Sequence, residues 1–225
     1  MSLRNKFIIL AFFFPVFIIA QDFEGGLSFG LITYQGDLVD GLVEVKETNL
    51  SYGVTFRAVI TDKITLRGNY FRGLLTGTDA NSSKPGRRSR MFRFKTPINE
   101  FSIMGEWNFL GQDRSDNRGL LLRQKFTPYV FGGVGFILFE PETFQDTLAD
   151  PEGTDYSTSN ISVPIGFGVK IGLNERFIIS AEAGGRTAFT DYLDGISKLA
   201  NSSNNDWYWM GSIIFTYTFG SPSYF

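Results

Sequence analysis

Apolar and polar residues alternate with a period of two in several separate stretches of the chain. In the clearest of them, Leu50 to Ile60, the even-numbered residues are apolar and most odd-numbered ones are small or polar. Because successive side chains of a β-strand point to opposite faces, this alternation predicts a strand. Related patterns predict eight strands in all, several of them about eleven residues long, the length that a tilted strand needs to cross a bilayer. The predicted strands begin near Phe23, Leu50, Ile64, Phe101, Thr127, Ile161, Phe177 and Trp209.

The composition of the polar face decides between a soluble β protein and a membrane barrel. A soluble sandwich or lipocalin-type barrel would expose Lys, Glu, Asp and Thr on that face. Here the face is rich in Gly and Ser, which suits a narrow interior, whereas Val, Ile, Leu and Phe would face lipid. The sequence therefore predicts an all-β fold, an eight-stranded antiparallel transmembrane β-barrel of the outer-membrane type. Aromatic residues near strand ends are expected to form girdles at the membrane interfaces: Tyr34, Tyr70, Trp107, Phe109, Trp209 and Phe219.

Long and short connections alternate between the predicted strands. The long ones span residues 35–49, 73–96, 140–159 and 187–206, and two of the others, 61–63 and 173–176, are tight. Long outer loops and short periplasmic turns are typical of outer-membrane barrels, and an even strand count returns both termini to the periplasm. The exception is the connection from Leu110 to Lys125, which is too long for a turn.

The first twenty residues have the pattern of a secretory signal peptide. Arg4 and Lys6 precede an apolar run from Phe7 to Ile19, and Ala20 is a small residue at the expected cleavage point. The alternative is a membrane anchor, but a spanning helix needs about 20 apolar residues and this run contains Pro15. We therefore expect a signal peptide over 1–20, a barrel domain over 21–225, and an outer-membrane location in a Gram-negative bacterium.

The chain contains no cysteine and no histidine, and its formal net charge is −2. These absences exclude disulfides, thiolate or imidazole metal ligands, a histidine-dependent catalytic triad and lipid acylation of a cysteine. The near-neutral charge gives no indication of nucleic-acid binding. We expect a protein that is not an enzyme and needs no cofactor or metal.

Some charged residues fall on the predicted inner face. An eight-stranded barrel is just wide enough for its own side chains, so an open pore is not expected. Unpaired buried charges are strongly unfavourable, so the inward charges should pair with one another as a filling network rather than form a catalytic group. The predicted lumenal network is Arg57, Arg67, Glu106, Lys170, Glu182 and Arg186.

Two of the long connections carry opposite charge. In one interpretation, the two connections neutralise each other across the mouth of the barrel. In the other, the basic connection holds phosphates of lipopolysaccharide. Exposed charges are usually just solvated, which favours the first interpretation. The basic residues of the second long connection are Lys84, Arg87, Arg88, Arg90, Arg93 and Lys95. The acidic residues of the third are Glu140, Glu142, Asp146, Asp150, Glu152 and Asp155.

Several short motifs, taken in order, resemble a known family. They are Tyr34-Gln35-Gly36-Asp37-Leu38, Gly86-Arg87-Arg88, residues 127–133, residues 189–195, Asn205-Asp206-Trp207-Tyr208 and residues 215–220. Over nearly its whole length after residue 20 the chain resembles the PorG-like outer-membrane components of the type IX secretion system of Bacteroidetes. The resemblance implies a non-enzymatic part of a protein-transport and gliding-motility machine. It also implies a periplasmic ring partner made of the lipoprotein PorK (GldK) and PorN (GldN).

The resemblance brings no map of contact residues, but the predicted topology suggests one. A periplasmic partner must touch the termini or the connections on the periplasmic side, which are the second, fourth and sixth along the chain. Of these connections, only the segment from Leu110 to Lys125 offers much surface. We therefore predict that Asp113, Arg114, Asp116 and Arg118 contribute to ring docking. The alternative function is a stand-alone barrel whose long loops bind lipopolysaccharide or another surface ligand.

Overall fold

The computed structural model describes residues 22–35, 47–81, 91–111, 126–145, 148–149, 158–174, 176–189, 193 and 207–219. The expected signal peptide lies outside these ranges, and so do residues 112–125 of the connection from Leu110 to Lys125. Within the described residues, no helix is long and apolar enough to cross a membrane.

Eight long strands form a closed antiparallel barrel. Each pairs with its neighbours in chain order, and the first pairs with the last from Phe23 opposite Phe219 to Gln35 opposite Trp207, which closes the sheet. This confirms the predicted all-β, eight-stranded architecture. The barrel strands are β1 (Asp22–Gln35), β2 (Thr48–Val59), β3 (Ile64–Thr78), β4 (Phe92–Asn108), β5 (Phe126–Phe139), β8 (Ser159–Gly172), β9 (Phe177–Ala188) and β10 (Trp207–Phe219).

Two further short strands, β6 (Glu142–Gln145) and β7 (Leu148–Ala149), lie within the third long connection. β6 pairs with the first residues of β4, from Phe92 to Lys95. β3 and β4 remain paired up to Thr78 opposite Arg93, far into what the sequence predicted as the second long loop. These extensions form the long-loop ribbon, defined here as residues 73–78 of β3, 92–98 of β4 and β6.

The short connections are tight turns capped by side chains. Thr61 Oγ1 accepts the backbone N–H of Ile64 at 3.0 Å, and Asn174 Oδ1 accepts that of Phe177 at 2.8 Å. Side-chain oxygens of Thr and Asn that bond backbone groups two or three residues on stabilise such turns. We call this end of the barrel the short-turn end and the other the long-loop end.

The outer face of the barrel is apolar and exposed. Leu50 is 78% exposed, Phe167 65% and Ile165 59%. Thirty large hydrophobic side chains are exposed in the described part of the chain, most of them at outward positions of the strands. A soluble protein rarely exposes so large an apolar surface, so the outward apolar face predicted from the alternation is confirmed.

Aromatic rings cluster on the outer face near the short-turn end. Trp107 and Phe109 have ring centroids 5.2 Å apart, and Tyr217 lies 5.3 Å from Phe177 and 5.2 Å from Phe219. Such rings are typical of the membrane interface, where one side of the ring is apolar and the other wet.

Tyr34 was wrongly predicted to belong to a girdle. It is fully buried inside the barrel and packs edge-on against Phe94, with ring centroids 4.9 Å apart. The reason is its position in β1: Tyr34 shares the even-numbered inner face with Glu24 and Ser28, whereas Phe29 points outward.

Candidate functional site

The lower half of the lumen, toward the short-turn end, contains a network of buried charges. Seven of the eight barrel strands contribute one side chain each, so the network can form only when the barrel closes. We call it the lower network; its members are Glu24, Arg57, Arg67, Glu106, Tyr129, Lys170 and Glu182.

Glu106 is the central carboxylate of the lower network. Its Oε1 lies 2.9 Å from Arg57 Nε and 2.9 Å from Arg67 Nη1, and its Oε2 accepts from Lys170 Nζ at 2.5 Å. Three cations therefore share one fully buried carboxylate. Charge-assisted hydrogen bonds of this kind are about twice as strong as neutral ones.

A second carboxylate, Glu182 of β9, balances the two arginines of this group. It accepts from Arg67 and from the Tyr129 hydroxyl, and its Oε1 lies 3.5 Å from Arg57 Nη2. Glu24 adds a third carboxylate, 3.6 Å from Arg57 Nη1. The two arginines are thus surrounded by acids contributed by different strands.

Aromatic rings support two of the cations. The Arg67 guanidinium lies 4.7 Å from the centre of the Phe131 ring, and Lys170 Nζ lies 4.8 Å from that of Tyr129. Cation–π contacts of this geometry add attraction in a desolvated setting. They also orient the Arg67 and Lys170 side chains within the lower network.

A smaller polar cluster, the upper network, lies between the lower network and the long-loop end. Glu100 accepts from Ser162 Oγ at 3.1 Å, from Arg186 Nε at 3.4 Å and from the Tyr208 hydroxyl. The Arg186 guanidinium also lies 5.1 Å from the centre of the Phe71 ring. This cluster joins β4, β8, β9 and β10 across the lumen.

The structure places all six residues of the predicted lumenal network inside the barrel, and it adds two acids that the sequence reasoning missed. With Glu24 and Glu100 included, four bases face four acids. The alternation carried a signal for both: Glu24 shares the parity of Ser28 in β1, and Glu100 that of Glu106 in β4. The sequence prediction omits Glu24 because it assigns only the apolar face of the first strand, and it omits Glu100 because its fourth strand begins at Phe101.

Above the upper network, the lumen at the long-loop end is filled by apolar side chains. Leu193, from the fourth long connection, is fully buried among them, and Thr96 Oγ1 donates a hydrogen bond to its carbonyl oxygen at 2.6 Å. We call this cluster the apolar plug; its members are Ile32, Tyr34, Phe71, Leu75, Phe92, Phe94, Ile98, Ile137, Phe139, Ala188, Leu193, Tyr208 and Met210.

Together the two networks and the plug fill the lumen along its length. The largest fully buried side chains in the described residues include Arg57, Arg67, Tyr34, Tyr129 and Tyr208, all of which point inward. In the same part of the chain no group of three or more acidic side chains is placed to hold a metal ion. The buried charges of the described interior are paired with one another in the two networks.

The charged long connections differ from their prediction. Arg93 and Lys95 were assigned to a loop, but both lie on β4 as exposed residues, because the alternation continues to Phe92. Lys95 is opposite Glu142 of β6, and the Arg93 guanidinium lies 5.1 Å from the centre of the Phe144 ring. Glu140 is exposed just after β5.

The remaining predicted surface residues lie outside the described ranges. These are Lys84, Arg87, Arg88 and Arg90 of the basic set, Asp146, Asp150, Glu152 and Asp155 of the acidic set, and Asp113, Arg114, Asp116 and Arg118 of the docking set.

Among solved structures, the chain is similar to Neisserial surface protein A (NspA), with a TM-score of 0.51 and 11% identity over 88% of this chain and 97% of that one. The N-terminal β-barrel domain of Pseudomonas aeruginosa OprF aligns with a TM-score of 0.49 and 14% identity, covering 89% of this chain and 99% of that domain. The outer membrane protein OprG from Pseudomonas aeruginosa gives 0.48 and 14%, over 90% and 97%. At these identities, the similarity to NspA supports the fold of an outer-membrane barrel and nothing beyond the fold.

Among curated proteins, none matches the chain in sequence. A family profile does: that of DUF6089, a domain of unknown function, matches residues 4–225. Because the match covers nearly the whole chain, the protein belongs to the DUF6089 family.

Proposed function

We propose that the protein is a non-enzymatic β-barrel of the bacterial outer membrane that acts as a scaffold through the segments at its two ends. The filled lumen is the observation that carries this proposal. Paired charges occupy the lower half and the apolar plug occupies the long-loop end, so solutes have no open path. The exposed apolar flank supports insertion in lipid.

The orientation follows from the lengths of the connections. The short-turn end, with its tight turns at Thr61 and Asn174, faces the periplasm together with both termini. The long-loop ribbon faces the cell exterior. Partners in the periplasm would therefore meet the short-turn end and the connection between Leu110 and Phe126.

Within this general role, we propose that the barrel is a component of the type IX protein secretion machinery. The support is the ordered set of motifs that resembles PorG-like proteins, which include Gly86-Arg87-Arg88 and Asn205-Asp206-Trp207-Tyr208. In this role the barrel assembles with the periplasmic PorK/PorN ring, or with GldK/GldN in gliding bacteria. A barrel without transport through its lumen suits an anchoring part.

The proposed docking residues are Asp113, Arg114, Asp116 and Arg118, in the connection that follows β4. Gly111 marks where this connection leaves the barrel: it has a positive φ of 77°, and its carbonyl oxygen accepts from Thr127 Oγ1 at 2.5 Å. Because Thr127 lies at the start of β5, this bond ties together the two ends from which the connection departs. The connection is thus presented from a fixed base.

The test replaces the four docking residues with Asn or Gln and, separately, shortens residues 112–125 to a tight turn. If the connection holds the ring, co-purification of PorK and PorN with the barrel from native outer membranes should fall by about tenfold or more, since each lost charged contact weakens binding. A matched control, Lys63→Gln, removes an exposed charge from the neighbouring short turn and should leave recovery unchanged.

Two readouts separate failure of docking from failure of the barrel. Heat-modifiable migration on gels and extraction only by detergent report insertion, and co-purification reports the ring. If every variant inserts and the ring is still recovered in full, the docking proposal is wrong. If crosslinking in cells captures lipid or surface ligands but no ring protein, the secretion role gives way to a stand-alone barrel.

A further inference from the structure

Arg72 is an exposed arginine on a largely apolar part of the outer face. It follows Tyr70 on the outward side of β3 and precedes Leu74. Across the sheet it is opposite Tyr52 of β2 and Asn99 of β4. The side chains diagonal to it on the neighbouring strands are apolar: Leu50, Val54, Pro97 and Phe101.

Within the described residues, Arg72 makes no ion pair, and the row of side chains it belongs to contains no acid. Glu47, further toward the long-loop end, accepts a hydrogen bond from Thr76 Oγ1 at 3.0 Å. Glu142 is opposite Lys95, on the far side of the ribbon. A guanidinium in a lipid-facing surface is costly without a counter-charge, so its partner should come from the membrane.

The depth of Arg72 places it where lipid headgroups begin. Eight residues separate it from Ile64, which is opposite Trp107 in the aromatic cluster at the short-turn end. At about 3.3 Å per residue and a tilt of about 40°, this is roughly 20 Å along the membrane normal. The apolar band of such barrels is about 25 Å tall, so the flexible arginine reaches its far edge.

The two residues opposite Arg72 on the neighbouring strands both carry neutral hydrogen-bond donors. Asn99 Oδ1 accepts a hydrogen bond from the Tyr70 hydroxyl at 3.0 Å, and the amide nitrogen of Asn99 can donate to another group. The Tyr52 hydroxyl belongs to a side chain that is 56% exposed. A guanidinium in one row with an amide and a phenol offers several donors to an incoming group, which matches the oxygens of a phosphate.

We propose that Arg72, with Tyr52 and Asn99, binds a lipid A phosphate of lipopolysaccharide in the outer leaflet. The proposal rests on the outer-membrane location and orientation given above. In that orientation the long-loop end meets the leaflet whose lipid carries phosphates at the boundary between acyl chains and sugars. The site takes one residue from each of three neighbouring strands, β2, β3 and β4, and none from the predicted basic set, and it would fix the depth of the barrel in the membrane.

The test titrates the purified, folded barrel in detergent with lipid A, with phosphatidylglycerol and with inorganic phosphate, and counts bound molecules by native mass spectrometry. Wild type should bind lipid A in preference to the other two. Arg72→Gln should weaken lipid A binding about tenfold, the loss expected for one charge-assisted contact, and Arg72→Lys should weaken it less. The matched control is Arg176→Gln, which removes an exposed arginine at the short-turn end, far from the proposed site, and should bind as wild type does.

The proposal is overturned if Arg72→Gln binds lipid A as well as wild type, or if Arg176→Gln loses as much. Equal binding of phosphatidylglycerol, or displacement of lipid A by inorganic phosphate, would also overturn it, because the site would then not select this lipid. Heat-modifiable migration of the same samples keeps the proposed function separate. A barrel that inserts but shows no preference refutes only the lipid site.

Discussion

Replacing Glu106 with Gln should be among the most destabilising single changes that leave the size of a side chain unchanged. The substitution removes the charge that Arg57, Arg67 and Lys170 share at 2.9, 2.9 and 2.5 Å. All of these groups are buried, so water cannot replace the lost carboxylate. Arg57 keeps its ion pairs with Glu24 and Glu182 and Arg67 keeps its ion pair with Glu182, but Lys170 loses the ion pair that it makes within the described residues.

The size of the effect follows from two opposing terms. With an effective dielectric constant of about 20, each pair gains roughly 6 kcal/mol of gross attraction at these distances. Burial of the charged groups offsets much of this gain, and the Gln amide retains some hydrogen bonding. Measured losses on removing one partner of a buried pair are about 3–5 kcal/mol, and we expect Glu106→Gln in that range.

The assay is reversible urea unfolding of the barrel in detergent or lipid vesicles, followed by the fluorescence of its 3 tryptophans. Glu142→Gln is the matched control: the residue is exposed on β6, and its loss should change the free energy of unfolding by less than about 0.5 kcal/mol. The double variant Glu106→Gln/Lys170→Met should recover part of the loss, because one uncompensated cation is also removed.

The result that would refute the reasoning is a loss below about 1 kcal/mol for Glu106→Gln, the range of an exposed pair. The lower network would then be screened by water inside the lumen. A double variant less stable than Glu106→Gln alone would have a different meaning. It would show that Lys170 contributes through packing on Tyr129 rather than through its charge.

Three further changes test other parts of the interior by the same unfolding assay. Gly133→Ala should lower the free energy of unfolding by about 1–3 kcal/mol, since a Cβ there would lie 2.7 Å from the Cα of Met104 on β4. Gly68→Ala is the control, because a Cβ there meets open space and should leave the free energy of unfolding nearly unchanged. Leu193→Ala removes a fully buried side chain from the apolar plug and should cost about 2–5 kcal/mol; a smaller loss would mean that the plug does not depend on the fourth connection. Tyr208→Phe removes a donor to the buried carboxylate of Glu100 and should cost about 1.5–3 kcal/mol, and an unchanged free energy of unfolding would contradict the importance of the upper network.

The period-two pattern was sufficient for the number of barrel strands and for the inward direction of Arg57, Arg67 and Lys170. It was sufficient because every lipid-facing position needs an apolar side chain and the lumen does not, so the two faces differ along each strand. The pairing partners could not be predicted, since Glu106 and Lys170 are 64 residues apart and meet only through the closure of the barrel.

The apolar plug was not predicted, although a signal for it was present. β5 reads as apolar on both faces, and its inward residues Ile137 and Phe139 prove to be members of the plug. The alternation shows which residues share a face but not the depth at which they lie. It therefore could not distinguish an inner face within the membrane from one beyond it. The same lack of depth led to the assignment of Arg93 and Lys95 to a loop.

β4 shows how depth changes the rule within a single strand. Toward the short-turn end, Glu106 points inward and Trp107 outward; toward the long-loop end, Phe94 points inward and Lys95 outward. The two faces exchange character close to Asn99, which is in the row of Arg72. Where lipid surrounds the barrel, burying apolar groups inside brings no gain, so charges can fill the lumen if they pair. Where water surrounds it, apolar side chains are driven inside as in a soluble protein. The exchange thus marks the edge of the hydrocarbon region independently of Arg72, and it places most of the apolar plug in the part of the barrel that stands beyond that edge.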